Sequence, residues 1–539
     1  MQRAPGLTVR QRLHILPRAM RLLLCALCLL ATAGCALAQR AGADGDTRPA
    51  LPARFDFEQV VARARSLAAQ PFRDPHGVDV PQWLLDLSYD EWRDIRFRSE
   101  RSLWRGTDSP FEVQLFHAGL YYDRTLQIHE IDAAGVPRDL RFDPALFDYG
   151  KNRFAKRVPR DMGFAGFRVH YPLKNPRYKD EVIVFVGASY FRAVGRPHVY
   201  GLSARGLALD TAQPSGEEFP YFREVWLQRP AAGAAELTLF ALLDSPRASG
   251  AYRFVVRPGE STVVDVELRV FLRAEVRVLG LAPLTSMYTF GENDPSPRED
   301  YRPEVHDSDG LMLHDATGEW LWRPLDNPRV LRVNSFRMQN PRGFGLVQRD
   351  RDFEHYQDLE TRMELRPSVW IEPRGDWGAG AVELVRIATV EEITDNIVAY
   401  WKPERMPRPQ ELIALAYRMH WYSEDPARPP SGRAVATRRD RGNFYTVHAS
   451  DDARGYRYLI DFEGARLAEL APEAALEAVV WAGPGGRVVE QQLLKNPVNA
   501  RWRLSFLVEP EGAQPVELRA FLRRGAETLS ETWSYTLEP

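Results

Sequence analysis

Cysteine is almost missing from this chain of 539 residues: Cys25, Cys28 and Cys35 are the three present, and all lie within the first 38 positions. Beyond them, disulfides, thiol nucleophiles and thiolate metal sites are excluded. Neither sign of charge prevails, with 71 Lys and Arg against 73 Asp and Glu and a formal net charge of −2. That balance argues against nucleic acid or an anionic membrane surface as partner. After residue 38 no apolar run approaches the roughly 20 residues a membrane-spanning helix needs. HExxH, paired CxxC, P-loop and GxSxG patterns are also lacking, so zinc hydrolysis, nucleotide binding and esterase chemistry have no support. The acidic positions between Gly291 and Asp309 lack the regular spacing of a calcium loop, and neither a cofactor nor a metal is expected.

The cysteine-bearing start reads as an export signal. Arg18 and Arg21 precede the apolar core Leu22–Leu30, and Ala36-Leu37-Ala38 supplies a small-x-small cleavage pattern ahead of Gln39. Met20 is an alternative start that yields the same mature chain. Thr32-Ala33-Gly34-Cys35 offers a competing lipoprotein site, with Thr32 where a large aliphatic residue is usual. Residues 39–54, rich in Gly, Ala, Pro and Asp, read as a flexible lead-in.

Order is expected from residue 55. Asp56 with Gln59 caps a helix whose face is Phe57, Val60, Val61, Ala64, Leu67 and Ala68, and Ser88 with Glu91 forms a capping box for a second. Beyond about residue 110 short β-rich runs dominate. Val264, Val266, Leu268 and Val270 alternate with Asp265, Glu267 and Arg269, the period of a strand with one buried face. The expected fold is all-β: a large antiparallel sandwich over residues 55–402, a Pro-rich linker at 403–409, and an immunoglobulin-like sandwich over 410–539. The last comprises seven strand-like runs beginning with Leu412–Trp421, with Gly483-Pro484-Gly485-Gly486 as a hairpin turn.

What the chain has in abundance is carboxylate among aromatic residues. Aromatic residues make up 11% of it, and between Gly291 and Leu325 stand Glu292, Asp294, Glu299, Asp300, Glu304, Asp307 and Asp309 beside Tyr301, Trp320 and Trp322. Aromatic faces stack on pyranose rings, and carboxylates bind hydroxyls or move protons at a glycosidic oxygen. A solvated acidic loop is the alternative. Trp320 and Trp322, two apart, share one side of a strand, either as a sugar-binding shelf or as a core pair. His306 beside Asp307 can orient or ligate, or serve as a hydrogen-bonded structural residue.

Longer stretches carry a resemblance: DMGFAGFRVHYP from Asp161, GASYFRAVG from Gly187, YGLSARGLALDT from Tyr200, DYRPEVHDSDGL from Asp300, GEWLWRPL from Gly318, NPRGFGLVQRDRDF from Asn340, RPSVWIEP from Arg366 and TDNIVAYW from Thr394. With these the chain resembles, from about residue 55 to its end, the family of periplasmic glucan biosynthesis proteins G and D. The G branch fits better, because no adjacent arginine pair precedes the apolar core of the leader.

The resemblance implies a periplasmic role in making osmoregulated glucans with a β-1,2-linked backbone, and a long cleft in the large sandwich. Similarity to the D branch implies inverting endo-β-1,2-glucanase chemistry, with Asp395 as general acid and Asp307 as general base acting through a substrate hydroxyl. Tyr356, Arg366 and Glu392, in matching segments, are candidate ligands for glucose hydroxyls; Tyr190, Arg192 and Arg205 are weaker ones. The implied partners are β-1,2-glucan and an inner-membrane glucan synthase. A non-catalytic module that guides or helps branch the glucan stands as the alternative to the hydrolase or transglycosylase.

Overall fold

Alternation of apolar and charged residues decides which side of each strand faces inward. In Thr262–Leu272 the side chains of Val264, Val266, Leu268 and Val270 are buried, while Asp265 is turned outward to ion pairs with Arg257 and Arg418. Each such aliphatic side chain contributes about 1.5–3 kcal/mol on burial, and the pattern recurs through the chain. In the computed structural model, residues 54–75, 80–425, 428–441 and 455–539 are described. The expected leader, its cysteines and the lead-in up to residue 53 lie outside the described residues.

The fold is all-β. A ten-stranded sheet runs in the order 112–117, 164–175, 178–186, 190–193, 203–205, 279–286, 397–403, 379–386 and 332–339, with 208–209 paired on 279–286. It packs face to face on a longer sheet whose central strands are 343–347, 368–374, 412–422, 262–272, 248–257, 237–244 and 221–228. Between them lies one core, in which Phe185, Phe191 and Phe254 stack with Val266, Leu268, Trp401 and Trp421. Helix Phe57–Ala68, capped by Asp56 accepting from Gln59 N, lays Val60, Val61, Ala64 and Ala68 on the outer face of that longer sheet, against Trp226, Phe240 and Phe271. The Ser88–Glu91 capping box also forms, at the start of Tyr89–Arg93.

The second sandwich sets a four-stranded sheet, ordered 433–441, 456–463, 502–510 and 486–495, against strands 477–482, 516–524 and 532–537. Its core holds Tyr458, Ile460, Phe506, Leu518, Trp533 and Tyr535. The three latter strands continue the long sheet of the first sandwich: Trp320–Pro324 pairs in parallel with Thr532–Leu537, Leu321 opposite Thr532 and Trp322 opposite Trp533.

Two expectations about this region change. Leu412–Tyr422 is not the first strand of the second sandwich; it lies between Thr262–Leu272 and Ser368–Arg374 in the middle of the long sheet. The Pro-rich segment before it crosses from one sheet of the first sandwich to the other, because prolines barred from a central strand suit a crossover as well as a linker. The strand that replaces it is Arg433–Arg441, masked in the sequence by its four arginines. The Gly483–Gly486 turn does form, with Gly486 N donating to Gly483 O, but it joins strands of opposing sheets and so closes no hairpin.

Candidate functional site

Asp307 and Asp395 are brought together by one buried amide. Asp307 follows the two-residue strand Val305–His306, which pairs with Tyr288–Phe290. Asp395 ends the loop before strand Ile397–Pro403. The side chain of the next residue, Asn396, is fully buried; its Oδ1 accepts from Tyr288 N at 2.8 Å, and its Nδ2 donates to Tyr288 O at 2.9 Å and Ile387 O at 3.1 Å. The acid-bearing loop is thereby fastened to the strand that carries the partner of the Asp307 segment.

Each carboxylate faces an arginine. Asp307, nearly buried, forms an ion pair with Arg366. Asp395 lies 3.9 Å from Arg192 Nη2, and Arg192 Nε donates to Ser203 Oγ at 2.6 Å. Burial lowers the Arg366 guanidinium to about 10, helped by the like charge of Arg192 and opposed by Glu392 and Asp395. The stem of Arg366 passes over Gly201, where a Cβ would lie 2.8 Å from the Cβ of Arg366. A glycine there leaves room for the guanidinium to reach the carboxylate.

Arg302 ties three loops at one side of this site. It donates to both oxygens of Asp300 and to Asp358 at 3.3 Å and Glu392 at 2.7 Å. The hydrogen bond to Asp300 raises the Arg302 guanidinium well above its usual value, so its charge is permanent. On these loops Tyr301, Leu359 and Ile393 project into solvent. Next to Arg192 on the same strand face, Tyr190 lines a cavity of about 330 Å³ together with Tyr121, Tyr122, Phe219 and Tyr221. Arg205, 4.8 Å from the Tyr190 ring and 5.3 Å from that of Phe219, packs beside it. Tyr190 thus joins this aromatic cavity to the strand that carries Arg192.

The expected binding residues divide. Arg366 and Glu392 belong to this group, Glu392 through Arg302. Tyr356 does not present itself: it is fully buried, its hydroxyl donates to Asp350 O at 3.2 Å, and its ring meets the edge of His306. Trp322 is a core residue, 3% exposed, with the Arg349 guanidinium 3.5 Å from its ring. Trp320, on the same side, is stacked between His314 and Trp370. Trp322 belongs to the core at the seam with the second sandwich and Trp320, half-buried, packs against that core, an arrangement that favours the core-pair alternative over the shelf. The aromatic residue that meets the field of Asp395 is instead Tyr190, which shares its cavity with Tyr121, Phe219 and Tyr221. Of these, sequence reasoning singled out Tyr190 alone; the others carry no motif of their own. Asn396 was equally silent, its partner Tyr288 being 108 positions away.

The architecture defines a class: a two-sandwich β protein with a carboxylate–arginine site and an aromatic cavity on the strand that carries Arg192. The sequence profile described as "Periplasmic glucan biosynthesis protein, MdoG" matches residues 55–537. The chain belongs to that family, whose name puts its work in the periplasm. It is 51% identical over 489 residues to Glucans biosynthesis protein G of Ralstonia nicotianae, covering 90% of this chain and 96% of that one. To the protein of the same name from Pseudomonas paraeruginosa it is 47% identical, covering 90% and 93%. Among solved structures, the Slr1438 protein of Synechocystis sp. PCC 6803 aligns with a TM-score of 0.16 at 8% identity, over 57% of this chain and all of that one, too weakly to carry an argument. No helix among the described residues is long and apolar enough to cross a membrane.

Proposed function

We propose that this chain is exported to the periplasm and there cleaves β-1,2-glucan with inversion, as an endo-acting hydrolase or transglycosylase that trims nascent polymer. The observation that carries the reading is the convergence of Asp307 and Asp395 on one site, each opposed by an arginine, with an aromatic cavity on the strand that carries Arg192. Two carboxylates in unlike surroundings can hold different protonation states. In the proposed step, Asp395 gives its proton to the leaving glycosidic oxygen as the C1–O bond breaks. A water, or an acceptor hydroxyl, forms the new bond to C1 from the opposite face and passes its proton through a substrate hydroxyl to Asp307. Arg366 and Arg192 must release the carboxylates when sugar enters; Arg192 already has Ser203 as a second partner.

Those same ion pairs favour a second reading, a glucan-binding module that receives polymer from an inner-membrane synthase. Paired carboxylates are suited to gripping hydroxyls, whereas a general acid must arrive protonated. The test is to incubate the chain from Gln39 with linear β-1,2-glucan and follow reducing ends and product anomers, with Asp395→Asn as control. Products of inverted configuration, lost in the variant, support cleavage. Saturable binding without products would assign the carboxylates to recognition.

A further inference from the structure

A second group of ionisable side chains lies on the opposite side of the strand that bears Asp307. Glu304, His306, Asp309 and Asp350 each offer one donor atom, and these atoms all lie within 4.8 Å of one another. Donors bound to one ion at about 2.0–2.4 Å are separated by no more than about that distance. His306 is fully buried and Glu304 is 5% exposed. The group lines a cavity of about 20 Å³ together with Tyr288, Trp322 and residues 434–437. That is room for a single water or ion.

The tautomer of His306 is the independent observation that points to a ligand. The Gln348 amide nitrogen cannot turn toward the ring, because Nε2 donates to His306 O at 3.3 Å and Met363 O at 3.4 Å. Its Oε1 therefore faces His306 Nδ1 at 3.0 Å and makes that nitrogen the N–H donor. The lone pair of Nε2 is left pointing at oxygens that can only accept when ionised: Glu304 Oε2 at 2.7 Å and Asp309 Oδ1 at 3.4 Å. A positive species belongs at that convergence. An amide that fixes the outer nitrogen of a histidine while the inner one meets carboxylates is the usual outer shell of a metal ligand. Among the described residues, none of the three carboxylates pairs with Lys or Arg. Arg349, beside the cavity, pairs with Glu531, and Arg438 pairs with Glu292 at the rim.

We infer that Glu304, His306, Asp309 and Asp350 hold a divalent first-row transition ion, of the Zn²⁺ or Mn²⁺ type, at the seam between the two sandwiches. One imidazole with three carboxylates suits such an ion better than Mg²⁺ or Ca²⁺, which favour all-oxygen sites. The ion ties the segment 304–309 to Asp350, next to strand Arg433–Arg441, and is structural: Asp307 on the neighbouring face is not a ligand. This inference stands apart from the glucanase reading.

The experiment is to strip the chain from Gln39 with a chelator, remove the chelator, and titrate it with Zn²⁺ or Mn²⁺ alone while following heat and thermal unfolding. One ion per chain with a rise in Tm of several degrees is expected, by the mass action of a ligand that binds only the folded state. Glu304→Gln and Asp350→Asn should each weaken binding at least tenfold. Gln348→Leu, which removes no ligand, should weaken it roughly 10- to 100-fold by freeing the tautomer. Absence of saturable binding to the wild-type chain would overturn the inference and leave a proton on Nε2, an imidazolium paired with Glu304. Binding unchanged in Glu304→Gln and Asp350→Asn would place the ion elsewhere and overturn it equally. Because the decisive titration uses wild-type protein, a variant that fails to fold does not blunt the test.

Discussion

Truncating Asn396 to Ala should cripple the Asp395 loop while sparing the fold. The side chain makes three buried hydrogen bonds, to Tyr288 N, Tyr288 O and Ile387 O. At about 1 kcal/mol net for each bond, the loop loses about 3 kcal/mol of attachment, and more where Tyr288 N–H is left without a partner. Such a loss lowers the attached population by up to about 10² when attachment becomes marginal, and misplacing a reacting group by about 1 Å costs a similar factor. Glucan cleavage should therefore fall roughly 10- to 100-fold in kcat. Asn396→Asp, which keeps the acceptor toward Tyr288 N but has no N–H for the two carbonyls, should behave nearly as badly. Hydrogen exchange over residues 388–396 reads the same event without relying on catalysis, and protection there should drop in both variants. Unaltered exchange together with turnover within about twofold of wild type would refute the reasoning, since the loop would then be held by something other than Asn396.

Other consequences can be measured directly. The ion pair between Arg349 and Glu531 is buried on both sides, so Arg349→Met should lower stability to urea by about 3–5 kcal/mol and the double change with Glu531→Gln should recover most of it; equal losses in single and double variants would mean that the pair is not the source. Burial, with help from Arg351 and Lys174, lowers His198 to about 3. The unfolded chain then binds the extra proton between pH 3 and about 6.5, so this contribution is full above pH 6.5 and declines by about 1.4 kcal/mol per pH unit below it; His198→Asn should flatten that slope in unfolding measured from pH 7 to 5. In the aromatic cavity, Tyr121→Ala or Phe219→Ala should weaken glucan binding about 5- to 10-fold, as expected for one lost stacking contact, with no change in Tm.

Patterns that depend on local period or capping were legible in the chain itself. The alternation at 262–272, the Asp56 cap and the Ser88–Glu91 box all reappear in the structure. Strand pairing was less so, because nothing local distinguishes a proline-rich linker from a proline-rich crossover, and Leu412–Tyr422 went to the wrong sandwich. At the site, the resemblance to a family singled out Asp307 and Asp395, whose own surroundings in sequence say little. Trp322 stood in a matching segment and Tyr356 just past one, yet a matching segment does not tell a side chain that touches ligand from one that packs behind it. Their burial is settled by elements far along the chain, Trp322 by Trp533 and Tyr356 by His306. Asn396 lay beside the acid all along. Its role depends on a backbone amide that no spacing rule connects to it.

The parallel pairing of Trp320–Pro324 with Thr532–Leu537, and the central place of Leu412–Tyr422, make the chain indivisible. An immunoglobulin-like module hung on a tether could be excised, swapped between proteins or released by a protease as a working fragment. Here a cut at residues 403–409 would carry the middle strand out of the large sheet and leave raw hydrogen-bonding edges on both pieces. Each half would expose strands inclined to pair with any passing β segment. Natural shuffling of this module, or its expression alone for study, therefore faces a topological barrier, and whatever the second sandwich does it does as a fixed extension of the first.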